Sequence, residues 1–578
     1  MTTIPPEQII ETMQQHPLLD ESTEYGYGTA GFRFKVEHMD GIMLRVGIAS
    51  AILQYELFQN TKTNTNTNQQ PQQDMGVMIT ASHNDESYNG VKLSNPDGSM
   101  IPPHLEETLV AIVNQRDLDL FQNTHLKGFD FRSTAKFHVG YDTRSHSERL
   151  TSLFIKGAQA MGVTVINHGV LTTPMLHHIV LHSNAKAYLP ASIPPCPSRA
   201  GYCQAMGSAY LELCNVVAPC AITGDRSTPL LVDCACGVGY KAVQEVLSEI
   251  TIRGNLTTCK PFLVPCNEPG EGPLNTNCGS EHVQKQLKPP TWYSKTGQDA
   301  AKSYCCSVDG DADRIVFFAA SSSNELGSLL DGDKIAVLIG KFFQAELSKA
   351  YGGNPKLPKV SMGVVQTAYA NGASTQYLEK NLKVPVVITK TGVKHLHHAA
   401  LEFDIGIYFE ANGHGTVVFS QAYHEFASQA KSICPALEIL PRLINPAVGD
   451  AVSDLLLVDA LLQHFEWTVQ DWATKLYTDL PSRQLKVQVK DRSVVQCNDN
   501  ETKCLQPTTL QPALDQLMSD IPGSRTFCRA SGTENVVRVY AEAPTREQAD
   551  KMATIAAGLV HTHCGGVGPK SAILFFKK

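Results

Sequence analysis

The run Thr80-Ala81-Ser82-His83-Asn84 is followed closely by Tyr88-Asn89-Gly90-Val91-Lys92, which places a hydroxyl nucleophile near an imidazole, an amide and an ammonium. That grouping suits attack on phosphorus. A serine needs a neighbour to take its proton, and a phosphate on it brings roughly 1.5–2 negative charges that cations must offset. His83 and Lys92 are the candidates for both tasks. The alternative is an ordinary polar turn made by Ser82 and Asn84.

A second run, Asp309-Gly310-Asp311-Ala312-Asp313-Arg314, lies between the apolar stretches Cys305–Val308 and Ile315–Phe318, so it reads as a tight loop joining two strands. Three carboxylates placed together repel one another unless they bind a hard divalent cation through oxygen. A calcium EF-hand needs Gly at the sixth loop position and Glu at the twelfth, where this chain has Arg314 and Ala320. Magnesium, which keeps open positions for phosphate oxygens, is the better match. Asp309, Asp311 and Asp313 are therefore the expected metal ligands, with a phosphorylated Ser82 completing the shell.

Two further runs hold binding groups. Glu410-Ala411-Asn412-Gly413-His414-Gly415 offers a carboxylate and an amide flanked by glycines that allow close backbone approach, a set suited to sugar hydroxyls. Upstream, Thr391-Gly392-Val393-Lys394-His395 adds a turn with one fixed charge and one titratable ring, and His395 is expected to face a ligand. His414 stays open between a ligand-facing and a structural role. Arg529-Ala530-Ser531-Gly532-Thr533-Glu534-Asn535, with Arg538 on the strand that follows, surrounds one glycine with donors. Arginine forks and turn amides of this kind hold phosphate; a salt-bridged hairpin through Glu534 is the competing reading. Gly565-Gly566-Val567-Gly568-Pro569-Lys570-Ser571 only superficially matches a nucleotide loop, because Pro569 stands where a glycine must precede the lysine.

These runs need rigid elements to position them, and each begins directly after an apolar strand. Gly76–Thr80, Lys136–Gly140, Leu230–Asp233, Cys305–Val308, Ile405–Phe409 and Val536–Tyr540 are the clearest strands, alternating with amphipathic helical stretches. Alternation of this kind predicts α/β domains with mixed sheets. Thr61–Asp74, almost free of apolar residues, reads as a flexible insertion without chemistry. Near the end, a cap of Thr545 with Gln548 opens a helix over Ala549–Val560 in a small α+β unit. The Pro-rich Ile193–Ser198, the polar Ser321–Asn324 and the region around Trp467 mark boundaries.

The 578 residues exceed what one core serves, so several domains of about 100–200 residues are expected. A hydrophobic fraction of 42% with 18% charged residues is that of a globular chain. The net charge of −8 argues against a nucleic acid or an anionic membrane as partner. No apolar stretch is long enough to span a bilayer and no signal peptide opens the chain, which reads as cytoplasmic. Sixteen cysteines, none before Cys196, sit singly in apolar runs and read as reduced thiols. The close pairs Cys234/Cys236 and Cys305/Cys306 lack the paired knuckles of a zinc site. Oligomeric state is not legible here.

Gly28-Thr29-Ala30-Gly31-Phe32-Arg33 together with the Ser82, Asp309, Glu410 and Arg529 runs resembles the α-D-phosphohexomutase superfamily over residues 28–538. The resemblance implies four domains around a central cleft, three α/β with mixed sheets and a smaller C-terminal α+β domain. Taken with the boundary signals, these would be a phosphoserine-bearing domain over 1–184, a metal-binding domain over 185–326, a sugar-binding domain over 327–466 and a phosphate-binding domain over 467–578. It further implies that Ser82 is the phosphoserine, that the triple-Asp loop holds one Mg2+, that Glu410, Ala411 and Asn412 read the sugar, and that Arg529 to Thr533 with Arg538 grip phosphate. Arg33, Lys92 and His395 match further cleft residues of the family.

Within it, Gly140-Tyr141-Asp142-Thr143-Arg144 follows the serine run instead of preceding it, the order found in the branch acting on N-acetylglucosamine phosphates. Asn412 in place of Ser and Asp85 in place of Pro agree, and the run Leu274–Gln284 resembles that branch without assignable chemistry. The activity so implied interconverts the 6- and 1-phosphates of N-acetylglucosamine through a sugar 1,6-bisphosphate, a step toward UDP-N-acetylglucosamine. A glucose or mannose phosphomutase, or a non-catalytic phosphosugar-binding protein, are the alternatives.

Overall fold

The computed structural model describes the chain except for residues 1–4, 21, 29–30, 65–72, 127–135, 192, 220–228, 255–261, 296–303, 323–324, 533, 569–573 and 577–578. Thr29, Ala30, Thr533, Lys570 and most of the expected insertion lie outside the described residues. Thr61 to Asn64 instead continue the helix Met39–Asn64, and Asp74 is buried, accepting from the Lys136 amide at 2.9 Å.

Four sheets carry the architecture. The first holds β1 (Tyr27–Gly28), β2 (Gly31–Lys35), β3 (Met75–Ile79), β4 (Tyr88–Ser94), β5 (Lys136–Tyr141) and β6 (Thr164–Val170) in the order β1-β2-β4-β3-β5-β6. β3 pairs antiparallel with β4 and parallel with β5, so the sheet is mixed. All five side chains of β3 are buried, the pattern of a strand covered on both faces. Helix Ser147–Ala160 buries Leu150, Phe154 and Ala158 at helical spacing against Met39–Asn64. The helices cross closely because two glycines meet there: a Cβ on Gly157 would lie 2.2 Å from the Leu44 carbonyl oxygen, and one on Gly47 2.3 Å from that of Phe154.

The second sheet holds β7 (Leu230–Asp233), β8 (Leu263–Cys266), β9 (Tyr304–Val308), β10 (Ile315–Ser322) and β11 (Glu325–Leu330), parallel around β7 and antiparallel around β10. The third holds β12 (Met362–Thr367), β13 (Val386–Thr389), β14 (Ile405–Phe409) and β15 (Gly415–Phe419), with only β15 antiparallel. Two short strands, β17 (Gln496–Cys497) and β18 (Cys504–Gln506), accompany the fourth sheet. That sheet is antiparallel and is formed by β16 (Ser482–Gln488), β19 (Arg525–Ala530), β20 (Val536–Glu542) and β21 (Leu574–Phe576). Helix Arg546–His563 covers it, and Thr545 accepts from the Gln548 amide as the expected cap.

Three mixed sheets and a smaller α+β unit are the expected fold class. Ser321 and Ser322 end β10, and β11 pairs back onto it, so a cut at 326/327 would split a hairpin. The helix Val469–Lys475 also belongs upstream of the fourth sheet: Trp472 is fully buried with its ring 5.3 Å from that of Phe317. The second and third units share one continuous apolar core, to which helices Arg199–Val217, Gly332–Gly353 and Ala451–Phe465 all contribute. No helix among the described residues is long and apolar enough to cross a membrane.

Candidate active site

The serine run leaves β3 and turns before β4. Ser82 adopts a left-handed backbone with φ of 51°, a conformation costing of order 1–3 kcal/mol that persists only when neighbours impose it. They do so from three directions. The Ser82 amide donates to Thr80 Oγ1 at 2.9 Å, and its carbonyl accepts from Asn275 Nδ2 at 2.8 Å and Arg144 Nη2 at 3.3 Å. The branch-marking Gly140–Arg144 run and the Leu274–Gln284 run thus act as the mould of the serine turn. Arg144 is itself buried against Asp142.

Ser82 Oγ donates to Asp309 Oδ2 at 2.8 Å, which joins the first acidic residue to the nucleophile directly. Lys92, on β4, places Nζ 2.9 Å from both Asp311 Oδ2 and Asp313 Oδ2. Thr173 Oγ1 also donates to Asp311 Oδ2 at 2.7 Å. Burial, then the charges of Asp313 and Asp311, push Asp309 well above the usual carboxylate range. Asp313 is equally buried, yet Lys92, His414 and Arg314 outweigh burial and hold it well below that range. Burial alone would lower Lys92, but the two aspartates reverse the effect and raise it.

The loop fits a hard cation. The carboxylates of Asp309, Asp311 and Asp313 bring one oxygen each to within 4.8 Å of one another, and Asp311 Oδ1 is buried without a hydrogen-bond partner among the described residues. An all-oxygen set with an unmatched buried acceptor is what magnesium takes.

His83 Nε2 faces Glu281 Oε2 at 3.1 Å, and among the described residues its buried Nδ1 has no hydrogen-bond partner. Burial, and then Arg314 and Arg33, hold its pKa well below the ordinary histidine value. Arg33, which donates to Asn84 Oδ1 at 2.8 Å, lines the same part of the cavity with Lys92 and Arg314. Arg314 was passed over in the sequence although it closes the acidic run; its Nε lies 3.8 Å from Asp309 and 3.7 Å from Asp313.

Glu410 leaves β14 with Oε1 accepting from the Gly392 amide at 3.1 Å and Oε2 from Asn412 Nδ2 at 3.2 Å. Gly413, with φ of +84°, is required here, because a Cβ would sit 1.8 Å from the Ile315 carbonyl oxygen. That contact lets Ile315 N–H donate to the Gly413 carbonyl at 3.2 Å, tying the Glu410 loop to the acidic one. His414 is buried with Nδ1 3.3 Å from Asp313 and also lines the cavity, so it meets the acidic loop from the cavity wall. His395 is exposed and lies outside the cavity lining, where Lys394 stands instead, paired with Glu106. One residue along a helix is a 100° rotation, enough to move the ring off the cleft.

In the fourth sheet, Arg529 on β19 is directly opposite Arg538 on β20, which is opposite Lys486 on β16. Directly opposite residues share a face, and like charges so placed repel unless an anion lies between them. Lys486 pairs with Glu534 at 2.9 Å, and among the described residues Glu534 has no ion pair with an arginine. Arg529 Nε donates to Tyr369 Oη at 3.1 Å, while Arg538 Nε is buried without a hydrogen-bond partner among the described residues. The Ser531 amide is taken by the Val536 carbonyl at 2.9 Å, so of the expected turn donors it is not free. Gly532 lines the cavity, and Ala530 pairs with Val537.

One cavity of about 520 Å³ joins these parts. Arg33 and Lys92, Asp313 and Arg314, Glu410 and Asn412, and Arg529 and Arg538 line it from the four units in turn. Ser82 and Asp309 lie fully buried behind that wall, with His83 and Arg314 as the adjoining lining residues. Replacing Arg529 or Arg538 by alanine deletes charge-assisted hydrogen bonds worth about 1.5–3 kcal/mol each. Calorimetric titration with inorganic phosphate should therefore show weakening of about 10- to 150-fold in either variant. Unchanged affinity would place the phosphate grip elsewhere.

A grip for one phosphate facing a covalent carrier for another is needed where a phosphoryl group moves between two positions of one sugar. The fold and the cleft are those of the phosphohexomutase class. Residues 331–467 match the family model "Phosphoacetylglucosamine mutase AMG1, domain III". Residues 42–119 and 124–196 match the α/β/α domain I of phosphoglucomutase/phosphomannomutase, and 522–558 match its C-terminal domain. The phosphoacetylglucosamine mutase of Homo sapiens is 41% identical over 557 residues, covering 94% of this chain and 95% of that one. The crystal structure of Aspergillus fumigatus N-acetylphosphoglucosamine mutase with GlcNAc-6P and magnesium superposes with a TM-score of 0.82 at 35% identity, covering 97% of this chain and 99% of that one. A serine-to-alanine variant of the fungal enzyme with glucose 1,6-bisphosphate gives 0.82 at 34%, covering 98% and 100%. The chain belongs to the phosphoacetylglucosamine mutase family.

Proposed function

We infer that this chain is an isomerase that interconverts N-acetylglucosamine 6-phosphate and N-acetylglucosamine 1-phosphate, supplying UDP-N-acetylglucosamine synthesis. The observation that carries this is the single cavity with the Ser82–Asp309 pair behind one wall and the opposed arginines 529 and 538 on another. Phosphorylated Ser82 gives its phosphoryl group to the free sugar hydroxyl: the Oγ–P bond breaks, a sugar O–P bond forms and the hydroxyl proton is released. The resulting 1,6-bisphosphate reverses in the cleft, and its other phosphoryl group returns to Ser82 Oγ. Arg529 and Arg538 would hold the phosphate that is not reacting, in either orientation.

Arg33, Lys92 and Arg314 would offset charge beside the reacting phosphorus, and Glu410 with Asn412 would take sugar hydroxyls. Asp309, Asp311 and Asp313, with an oxygen of phospho-Ser82, would hold a magnesium ion, which when bound offsets charge on the transferring group. We place the activity in the cytoplasm, a reading supported by the described cysteines being unbridged.

A coupled assay with magnesium and a trace of sugar bisphosphate tests the substrate. N-acetylglucosamine 6-phosphate should be preferred over glucose 6-phosphate in kcat/KM; equal or better turnover of the plain sugar would make this a phosphoglucomutase. Glu410→Ala separates the sugar contacts from the phosphate grip. It should lower kcat/KM by roughly 10- to 100-fold, the worth of one charged hydrogen bond, while phosphate competes with unchanged affinity.

A further inference from the structure

Helix Thr173–Ser183 serves two cavities. Its N-terminal end faces the active site, where Thr173 bonds Asp311 and His177 lines the cleft. The same helix also borders a separate cavity of about 570 Å³ that shares no lining residue with the first. His178 and His182 reach this second cavity from consecutive turns, and Cys196 meets them from the Pro194-Pro195-Cys196-Pro197 segment.

The three side chains converge. His178 Nε2 lies 3.3 Å from Cys196 Sγ, and Cys196 Sγ lies 3.4 Å from His182 Nδ1. The ligand atoms of all three fall within 4.8 Å of one another, and the two imidazoles stack with centroids 3.9 Å apart. Both rings are buried and the thiol is half-buried. A tetrahedral zinc with Zn–N of about 2.0–2.1 Å and Zn–S of about 2.3 Å sets its nitrogen and sulfur ligands about 3.6 Å apart. The observed separations already come within a few tenths of an ångström of that value.

We propose that His178, His182 and Cys196 form a binding site for a thiophilic divalent cation of the zinc class, with its fourth position open to the second cavity. Two histidines four apart on one helix face with a thiolate form a set that soft and borderline cations select. It contains no oxygen ligand, so magnesium does not compete for it. At present the Cys196 amide donates to His182 Nδ1 at 3.2 Å, and a bound cation would take over that lone pair. The Pro-rich segment would then be pinned to the helix that carries Thr173.

The test uses the full chain, stripped with chelator and then kept in excess magnesium so that the acidic loop is occupied. Titration with Co2+ should give one equivalent of tetrahedral cobalt with a thiolate-to-cobalt charge-transfer band, which zinc then displaces. Cys196→Ser should abolish the charge-transfer band, and His178→Gln should remove the tetrahedral spectrum, while Cys236→Ser changes neither. Magnesium-supported turnover should be unchanged in Cys196→Ser. X-ray absorption of the zinc-loaded wild type needs no variant and should show one sulfur and two imidazole nitrogens around the metal. An all-oxygen shell, absence of the charge-transfer band, or a band that survives Cys196→Ser would overturn the site.

Discussion

Ser82→Ala is expected to reduce mutase turnover by on the order of 10⁴-fold or more, the scale on which loss of an activated nucleophile is felt. The substitution removes the atom proposed to carry the phosphoryl group between the two half-reactions. It removes little else. The turn is held by the Ser82 backbone, whose amide and carbonyl bond Thr80, Asn275 and Arg144, and none of these contacts uses Oγ. Among the described residues the side-chain bond lost is that to Asp309, whose Oδ2 keeps Arg314 Nε at 3.8 Å. The thermal midpoint should stay within a few degrees of wild type, as for a change of about 1 kcal/mol in a domain of this size. Phosphosugar binding measured by calorimetry should persist, because the arginine pair is untouched. Turnover near the wild-type rate would mean that Ser82 is not the carrier.

Asp311→Asn should affect metal dependence and rate together. Asp311 Oδ2 accepts from both Lys92 and Thr173, while Oδ1 is buried without a partner. The amide keeps the shape of the side chain but loses the charge, so Lys92 retains only Asp313 as a full counter-ion. Changes to groups that merely orient a metal ligand cost about 10–100-fold in affinity or activity, and loss of a ligand's charge should cost at least that much. The activity titration with magnesium should shift to higher concentration, with a lower plateau as well. A curve that overlays wild type would remove Asp311 from the metal set.

The strands were legible because apolar runs bracketed by turn residues survive in one dimension. β7 and β14 match the sequence reading at both ends, and β3, β5, β9 and β20 within a residue or two. β4 was not read as a strand: Tyr88, Asn89 and Gly90 dilute its apolar pattern, and it is held in the sheet by neighbours on both sides. The packing of the helix after Trp467 was not legible, because Trp472, an ordinary helical aromatic in sequence, finds its partner Phe317 in the preceding core. The run Leu274–Gln284 offered no chemistry by itself. Its Asn275 and Glu281 acquire roles only where the backbone of Ser82 and the ring of His83 meet them.

From residue types and local order alone came the candidate nucleophile, the acidic loop, the candidate sugar-facing carboxylate and the arginine pair. Each is a short-range property, a side chain of definite chemistry placed just beyond a strand end. The tertiary structure alone decided which atoms meet. Ser82 and Asp309 are 227 residues apart along the chain and 2.8 Å apart in space. Folding also turned His83 toward Glu281 and lowered its pKa by burial, put Lys394 and not His395 in the cleft, and brought His178, His182 and Cys196 to one point. Orientation and protonation depend on burial and on charges contributed by other sheets, and neither is encoded within any single run of residues.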